Sequence, residues 1–449
     1  MSTVLSDRQK EELHKSILDY LTTNGYHSSL NAFREESGLP DFKPDPKAKW
    51  SGLLEKKWTS VIRLQKKIME LETRNSQLTE ELSLAPSKRP SASSLDWTPR
   101  APARHILSGH RSPITRVTFH PLFSLVVSAS EDSSMKVYDW ETGEFERTVK
   151  GHTKAVQDLD FDQKGNFLVS CSSDLTIKIW DTLQDWKNVK TLYGHDHSIS
   201  SVRFLPPNDD FVVSASRDRT IRVWEVSSGF CVKTFTGHTE WVRSVVPSSD
   251  GRQFISSSSD HTSRIWDGQN GETKTEFRGH ENVVEVAVFA PIVSYPAIRE
   301  LAGIAAPTGR AAAEAKGVGL FAATGSRDKS IRIWDCQSGQ CLKTLIGHDN
   351  WVRSLIFHPS GKYLISASDD KTIRTWDLKS GRCIKTLEAH DHFVTTMAWG
   401  RAPAAGGGAT SNGTNGVGGA KEGKGEDVAQ FVNVVATGSV DLTVKIWTP

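Results

Sequence analysis

A Gly-His pair that returns at a nearly constant step constrains this chain more than any other feature. The histidines of these pairs are His110, His152, His195, His238, His280 and His348, and an Ala-His variant follows at His390. The steps between them are 42, 43, 43, 42, 68 and 42 residues. Self-similarity at this period means one supersecondary unit copied along the chain, and a unit so small must stack on its neighbours to bury its faces. Each unit carries an Asp in a tight-turn segment: Asp132, Asp174, Asp218, Asp260, Asp328, Asp370 and Asp441. Six residues past each Asp stands an aromatic, namely Tyr138, Trp180, Trp224, Trp266, Trp334, Trp376 and Trp447. Four residues before each Asp stands a hydroxyl, namely Ser128, Ser170, Ser214, Ser256, Thr324, Ser366 and Thr437.

These units resemble WD repeats, the blades of a β-propeller, four strands each. The resemblance implies that the Asp, His, Ser/Thr and Trp of each blade form a buried hydrogen-bond chain, a device that fixes turn geometry only when every member is satisfied. The departures are mild: Tyr138 stands for Trp, Glu225 and Thr448 for the Asp of the Trp-Asp pair, and Ala389 for Gly. The last unit stops after its third strand, VKIWTP, while Arg104–Leu107 precede the first Gly-His, where other units have their fourth strand. Chain start and chain end are therefore expected to pair and close a ring of seven blades. Two insertions interrupt the period, at about 291–319 and 401–427, both between the first and second strands of their units. They are expected to be disordered decoration on the face opposite the Gly-His and Asp turns.

The pattern before the propeller is helical. Ser6 and Gln9 suit a capping box, Leu13, Ile17, Tyr20 and Leu21 follow at helical spacing, and Asn24-Gly25 breaks the run. A second short helix carries Leu30 and Phe33 and stops at Gly38. The string LHKSILDYLTTNGYHSSLNAFREESGL resembles a LisH motif, over residues 1–40, which implies helix pairs that dimerise, with Leu13, Ile17 and Leu21 at the contact. Across residues 53–84 a heptad pattern follows: Leu54, Val61, Ile68, Asn75 and Leu82 at a positions, Leu64, Leu71 and Leu78 at d positions, Lys57 the one poor fit. Such a seam predicts a short parallel two-stranded coiled coil, with Leu64, Ile68, Leu71 and Leu78 in the interface and Asn75 as the buried polar residue that sets register. Residues 85–103 are rich in Pro and Ser and are expected to form a flexible tether to the propeller at 104–449. The fold class is thus mainly β: a seven-bladed propeller preceded by an α-helical dimerisation motif and a coiled coil.

The formal charge of +2 provides no global field toward nucleic acid or an anionic membrane. The polar start MSTVLSDRQKEEL lacks a signal-peptide core and no run of about 18 apolar residues occurs, so a cytosolic place without membrane insertion is expected. Five cysteines show no C-x-x-C pair, and Cys231, Cys341 and Cys383 recur at one position of the repeat, which suits small buried strand residues. Ser, His and Asp in every unit invite a hydrolase reading, but a catalytic site needs one exposed nucleophile, whereas seven copies point to a structural device. No P-loop, G-x-S-x-G or clustered metal spacing occurs, so no catalytic residue, cofactor or metal is expected.

The Gly-His and Asp turns share one rim, and its charge is uneven. Units three to six present Arg217, Arg219, Arg243, Arg327, Lys329, Arg353 and Lys371 with Trp241 and Trp351, whereas units one, two and seven show Glu131, Leu175, Val440 and Leu442. A basic crescent with tryptophans suits an acidic protein partner. The order LisH, coiled coil, seven WD blades covers essentially the whole chain and resembles the lissencephaly-1 and fungal nuclear-distribution (NudF-type) family. That resemblance implies a non-catalytic homodimer whose propeller binds the motor domain of the cytoplasmic dynein heavy chain, with Arg217, Arg243, Arg327, Trp351 and Lys371 at the contact. It further implies a coiled-coil adaptor of the NudE type, association with microtubule plus ends and spindle poles through partners, and roles in nuclear migration and division. A scaffold of a co-repressor or ubiquitin-ligase complex also combines LisH with WD repeats, but usually lacks the short coiled coil directly between them.

Overall fold

The computed structural model describes residues 7–39, 42–44, 54, 69, 96–304, 317–403 and 431–449, which fall in two units, 1–91 and 92–449. The smaller unit contains α1 (Asp7–Thr23) and α2 (His27–Glu36), separated by Gly25 in a left-handed conformation. Leu18 and Leu30 are buried, and His14 meets Phe33 edge-on at 5.6 Å. Leu13, by contrast, is 42% exposed, and Ile17 and Leu21 are half-buried. Ser6 and the seam residues Val61, Leu64, Ile68, Leu71, Asn75, Leu78 and Leu82 lie outside the described residues.

The larger unit is seven antiparallel sheets of four strands each. Blades 1 to 6 span Ile114–Lys150, Val156–Tyr193, Ile199–Thr236, Val242–Phe277, Val284–Ile346 and Val352–Glu388. First strands meet first strands around the ring, and that of blade 7 (Val394–Pro403) returns to that of blade 1. Sequence follows position in the blade. Second strands such as FLVSCS are buried along both faces because adjacent blades cover them, so they do not alternate. Third strands such as TIKIWD alternate in burial, while the outermost strands such as CVKTFT are largely exposed. Blade 7 closes as expected: His105–Leu107 forms its outermost strand, with His105 opposite Ile446 and Leu107 opposite Val444.

Three expectations need correction. The insertion after residue 290 is not mere decoration, because Ile292–Ser294 form a 3-10 turn and Tyr295–Ala302 form a helix, α3. Tyr295 and Ile298 bury against Phe321, Leu345, Leu364 and Leu378, so α3 seals the junction of blades 5 and 6. The Tyr295 hydroxyl donates to Gly317 O and receives the Leu320 amide, both at 3.2 Å, and Glu300 reaches Lys379 at 2.9 Å. The second insertion lengthens its flanking strands to Pro403 and from Phe431, and residues 404–430 lie outside the described residues.

The tether, for its part, is anchored from Asp96 onward. Trp97 packs on Trp399 with ring centroids 6.0 Å apart, its carbonyl meets His358 Nε2 at 2.8 Å, and Asp96 pairs with Lys362 at 2.6 Å. Cys231 and Cys341 are exposed and Cys383 is half-buried, since each opens an outermost strand whose other face has no neighbour; Cys171 and Cys336 are the buried ones.

Candidate protein-binding rim

The Gly-His side of the propeller is built by one hydrogen-bond unit repeated seven times. In blade 4, His238 Nδ1 meets Asp260 Oδ2 at 2.7 Å, His238 Nε2 meets Ser256 Oγ at 2.7 Å, and Trp266 Nε1 donates to the same Ser256 Oγ at 2.8 Å. Blades 2, 3, 5, 6 and 7 repeat all three contacts. Blade 1 departs: Tyr138 turns its hydroxyl to Ser108 O at 3.2 Å, leaving Ser128 with its His110 contact at 2.8 Å.

Two further hydroxyls per blade belong to the unit, though sequence reasoning passed over them despite their fixed spacing. Those two residues after each Asp, such as Thr262, donate to Asp Oδ1 at 2.6 Å, and those two before it, such as Ser258, accept the Asp amide at 3.1 Å. Burial would raise the Asp132 carboxyl, but bonds from Ser134, the Arg111 amide and His110 hold it down at about 2. The other six carboxyls are held below their usual range in the same way. Seven histidines, carboxylates and hydroxyls are thus mutually engaged beneath the rim.

On this frame each first strand opens with a bulge, at Thr115, Gln157, Ser200, Arg243, Glu285, Arg353 and Thr395. All seven line the mouth of the central channel, a cavity of about 330 Å³. In the same channel, Asp158 pairs with Arg116 at 3.1 Å and Arg203 at 2.7 Å and accepts from Ser201 at 2.7 Å.

Four of the five predicted contact residues fall on this face in two groups. Arg217 and Arg243 flank Trp241, their guanidinium carbons 4.9 and 5.4 Å from a ring centroid. Arg327 and Arg353 flank Trp351 at 4.0 and 4.8 Å. The tryptophans stand one residue before their strands; Trp241 is 38% exposed and Trp351 half-buried, so neither is a core strand residue. Lys371 lies apart, on the exposed left-handed Asp turn of blade 6, where Arg219 and Lys329 stand in blades 3 and 5. Sequence reasoning left Trp241 and Arg353 out of the contact set, although EWVRS and NWVRS signalled the equivalence.

It also missed the acids among the arginines. Glu285 pairs with Arg327 Nε and lies 3.6 Å from Arg353 Nη1, while Asp369 binds Arg353 in a fork at 2.9 to 3.1 Å. Burial would lower Arg353, yet Asp369 and Glu285 raise it above its ordinary value. Arg243 shows the opposite: burial and the crowding of Arg327, Arg217 and Arg353 lower it, despite the field of Glu285.

Comparison with known proteins bears on the whole chain. A model described as the PAC1 LisH domain matches residues 7–42, and the WD domain, G-beta repeat, matches 102–139, 143–181, 186–225, 229–267, 316–335 and 339–377. A nuclear distribution protein PAC1 of Coprinopsis cinerea is 59% identical over 447 residues, covering 100% of both chains. The chain belongs to the PAC1 nuclear distribution family. PAC1 proteins of Gibberella zeae and Arthroderma otae are 49% and 48% identical over 380 and 385 residues, 82% of this chain in each case. In this propeller, then, the part of the rim that differs from blade to blade is the bulge ring and the residues beside it, set on a repeated hydrogen-bonded base.

Proposed function

We propose that this chain is a non-catalytic, homodimeric regulator of nuclear distribution that binds the motor domain of cytoplasmic dynein through the Gly-His face of its propeller. The observation that carries the reading is the confinement of Arg217, Arg243, Arg327, Trp351 and Lys371 to blades 3 to 6 of one face, in a chain related over its full length to nuclear distribution proteins. Arg supplies forked bonds to carboxylates and Trp supplies anchoring area, the two residue types over-represented at binding hot spots. The half-exposed face of α1, with Leu13, Ile17 and Leu21, suits pairing with a second copy, since two short helices bury too little alone. A dimer would present two rims to one motor and raise the effective concentration of the second contact. A NudE-type coiled-coil adaptor and recruitment to microtubule plus ends and spindle poles complete the proposed setting.

The test uses the full chain, first sized by sedimentation, where a dimer is expected. Arg243→Glu combined with Trp351→Ala should lower affinity for purified dynein motor domain by well over tenfold, because a hot spot of this kind is worth about 2 kcal/mol or more. An unchanged affinity in a folded dimer refutes the assignment of this face.

A further inference from the structure

The two Arg-Trp-Arg arrangements are copies of one design that differ in their acids. In the first, blade 5 contributes its bulge residue Glu285 and Arg327 from the end of its second strand; blade 6 contributes Trp351, its bulge residue Arg353, and Asp369 from the end of its second strand. In the second, the sevenfold-equivalent residues of blades 3 and 4 are Ser200, Arg217, Trp241, Arg243 and Ser259. Two carboxylates in one copy are therefore two serines in the other. Ser259 Oγ accepts from Arg243 Nε at 2.8 Å. Arg217 Nε and Ser200 Oγ are both buried, and neither has a hydrogen-bond partner among the described residues. The four guanidinium groups of the two copies thus share two carboxylates, both in the copy at blades 5 and 6, and the excess positive charge sits at blades 3 and 4.

We propose that Ser200, Arg217, Trp241 and Arg243 form a receptor for a carboxylate side chain presented by an acidic segment of the protein partner, seated as Glu285 is seated in the companion copy. The internal copy is the template. Glu285 shows that a carboxylate fits between a second-strand arginine and the bulge arginine of the next blade, the two arginines that flank a tryptophan. A visiting carboxylate would take the Nε–H of Arg217 and the hydroxyl of Ser200, two buried groups whose unmet hydrogen bonds otherwise cost stability, and would relieve the repulsion between Arg217 and Arg243. Glu285 itself then has a second role. By holding Arg327, while Asp369 holds Arg353, it removes those cations from competition and directs the partner's acid to blades 3 and 4. The proposal rests on the Gly-His face being the partner-binding face.

The experiment uses the full chain and a labelled oligoglutamate peptide as probe, read by fluorescence anisotropy. Wild type should bind the peptide, more weakly as salt rises. Ser200→Glu, which copies Glu285 into blade 3, should weaken binding at least tenfold with an unchanged thermal melt. Arg217→Gln is the second variant should Ser200→Glu fail to fold, and should show the same loss. Glu285→Gln should tighten binding severalfold by releasing Arg327, and Lys379→Gln, on the opposite face, should change nothing. No binding by wild type, or equal binding by Ser200→Glu and Arg217→Gln, overturns the proposal. The same variants against dynein motor domain separate the two readings. Peptide binding without motor binding in wild type removes dynein as the partner and leaves the receptor standing. Motor binding unaffected by the loss of the peptide site overturns the receptor's role in partner binding.

Discussion

Replacing Asp260 by alanine tests whether the repeated network holds the propeller together. The carboxylate accepts four hydrogen bonds: from His238 Nδ1 at 2.7 Å, the Thr239 amide at 3.2 Å, the Thr262 amide at 3.0 Å and the Thr262 hydroxyl at 2.6 Å. The Thr239 amide and the Thr262 groups lie at the turn and can regain water. His238 cannot, since its side chain is 1% exposed and its other nitrogen is committed to Ser256. A buried donor left without a partner costs about 1 to 3 kcal/mol, and the lost bonds to a charged acceptor bring the expected destabilisation to about 3 kcal/mol. One kcal/mol moves the midpoint by about 2 to 4 °C in domains of 150 to 250 residues and by less in larger ones, so a fall of about 5 °C is expected. Thermal denaturation of the full chain, followed by far-ultraviolet circular dichroism, provides the measurement. A melt of Asp260→Ala indistinguishable from wild type would refute the structural role of the network.

Two more expectations follow from the same unit. Tyr138→Trp should stabilise the chain by about 1 kcal/mol, because Ser128 Oγ would gain the indole donor that its counterparts have in the other blades, and a higher melting temperature is the readout. Stability should fall as pH drops below about 4. The seven network carboxyls have folded-state values below their unfolded ones, with Asp132 at about 2, so their contribution is complete above the unfolded value and is lost as they protonate. Urea midpoints between pH 7 and pH 3 check this, and a flat profile would contradict it.

The blades were legible because each repeats a His, an Asp, a hydroxyl and an aromatic at fixed spacing, and the closing strand because the last unit ends one strand short. α3 was not legible. Its buried face is Tyr295 and Ile298, two residues three apart inside an Ala- and Gly-rich insertion, too short a pattern to outweigh its surroundings. Trp97 was hidden in the same way, a lone aromatic in a Pro- and Ser-rich run that gains meaning only when Trp399 and His358 are brought beside it. The rim was half legible. Its arginines and tryptophans are plain in the sequence, but their pairing is not, because Glu285 and Asp369 meet Arg327 and Arg353 within a blade through a bulge that turns a strand residue into the channel, and Glu285 approaches Arg353 across a blade boundary.

The bulge is what lets one fold present many surfaces. It leaves one residue of the first strand unpaired with the second strand and turns it to the channel mouth, so the ladder and the hydrogen-bond unit beneath place no demand on its identity. The seven bulge residues accordingly differ: three hydroxyls, one amide, two arginines and one glutamate. The positions under structural obligation hold His and Asp in all seven blades. In a repeat protein, departures among copies isolate what the fold does not need. At the rim they separate two Arg-Trp-Arg copies that share their cations and their aromatic wall and differ only in whether the counter-charge is built in. The copy at blades 5 and 6, with Glu285 and Asp369 in place, offers a rigid, nearly neutral tryptophan surface. The copy at blades 3 and 4 keeps its charge for a group that comes from outside.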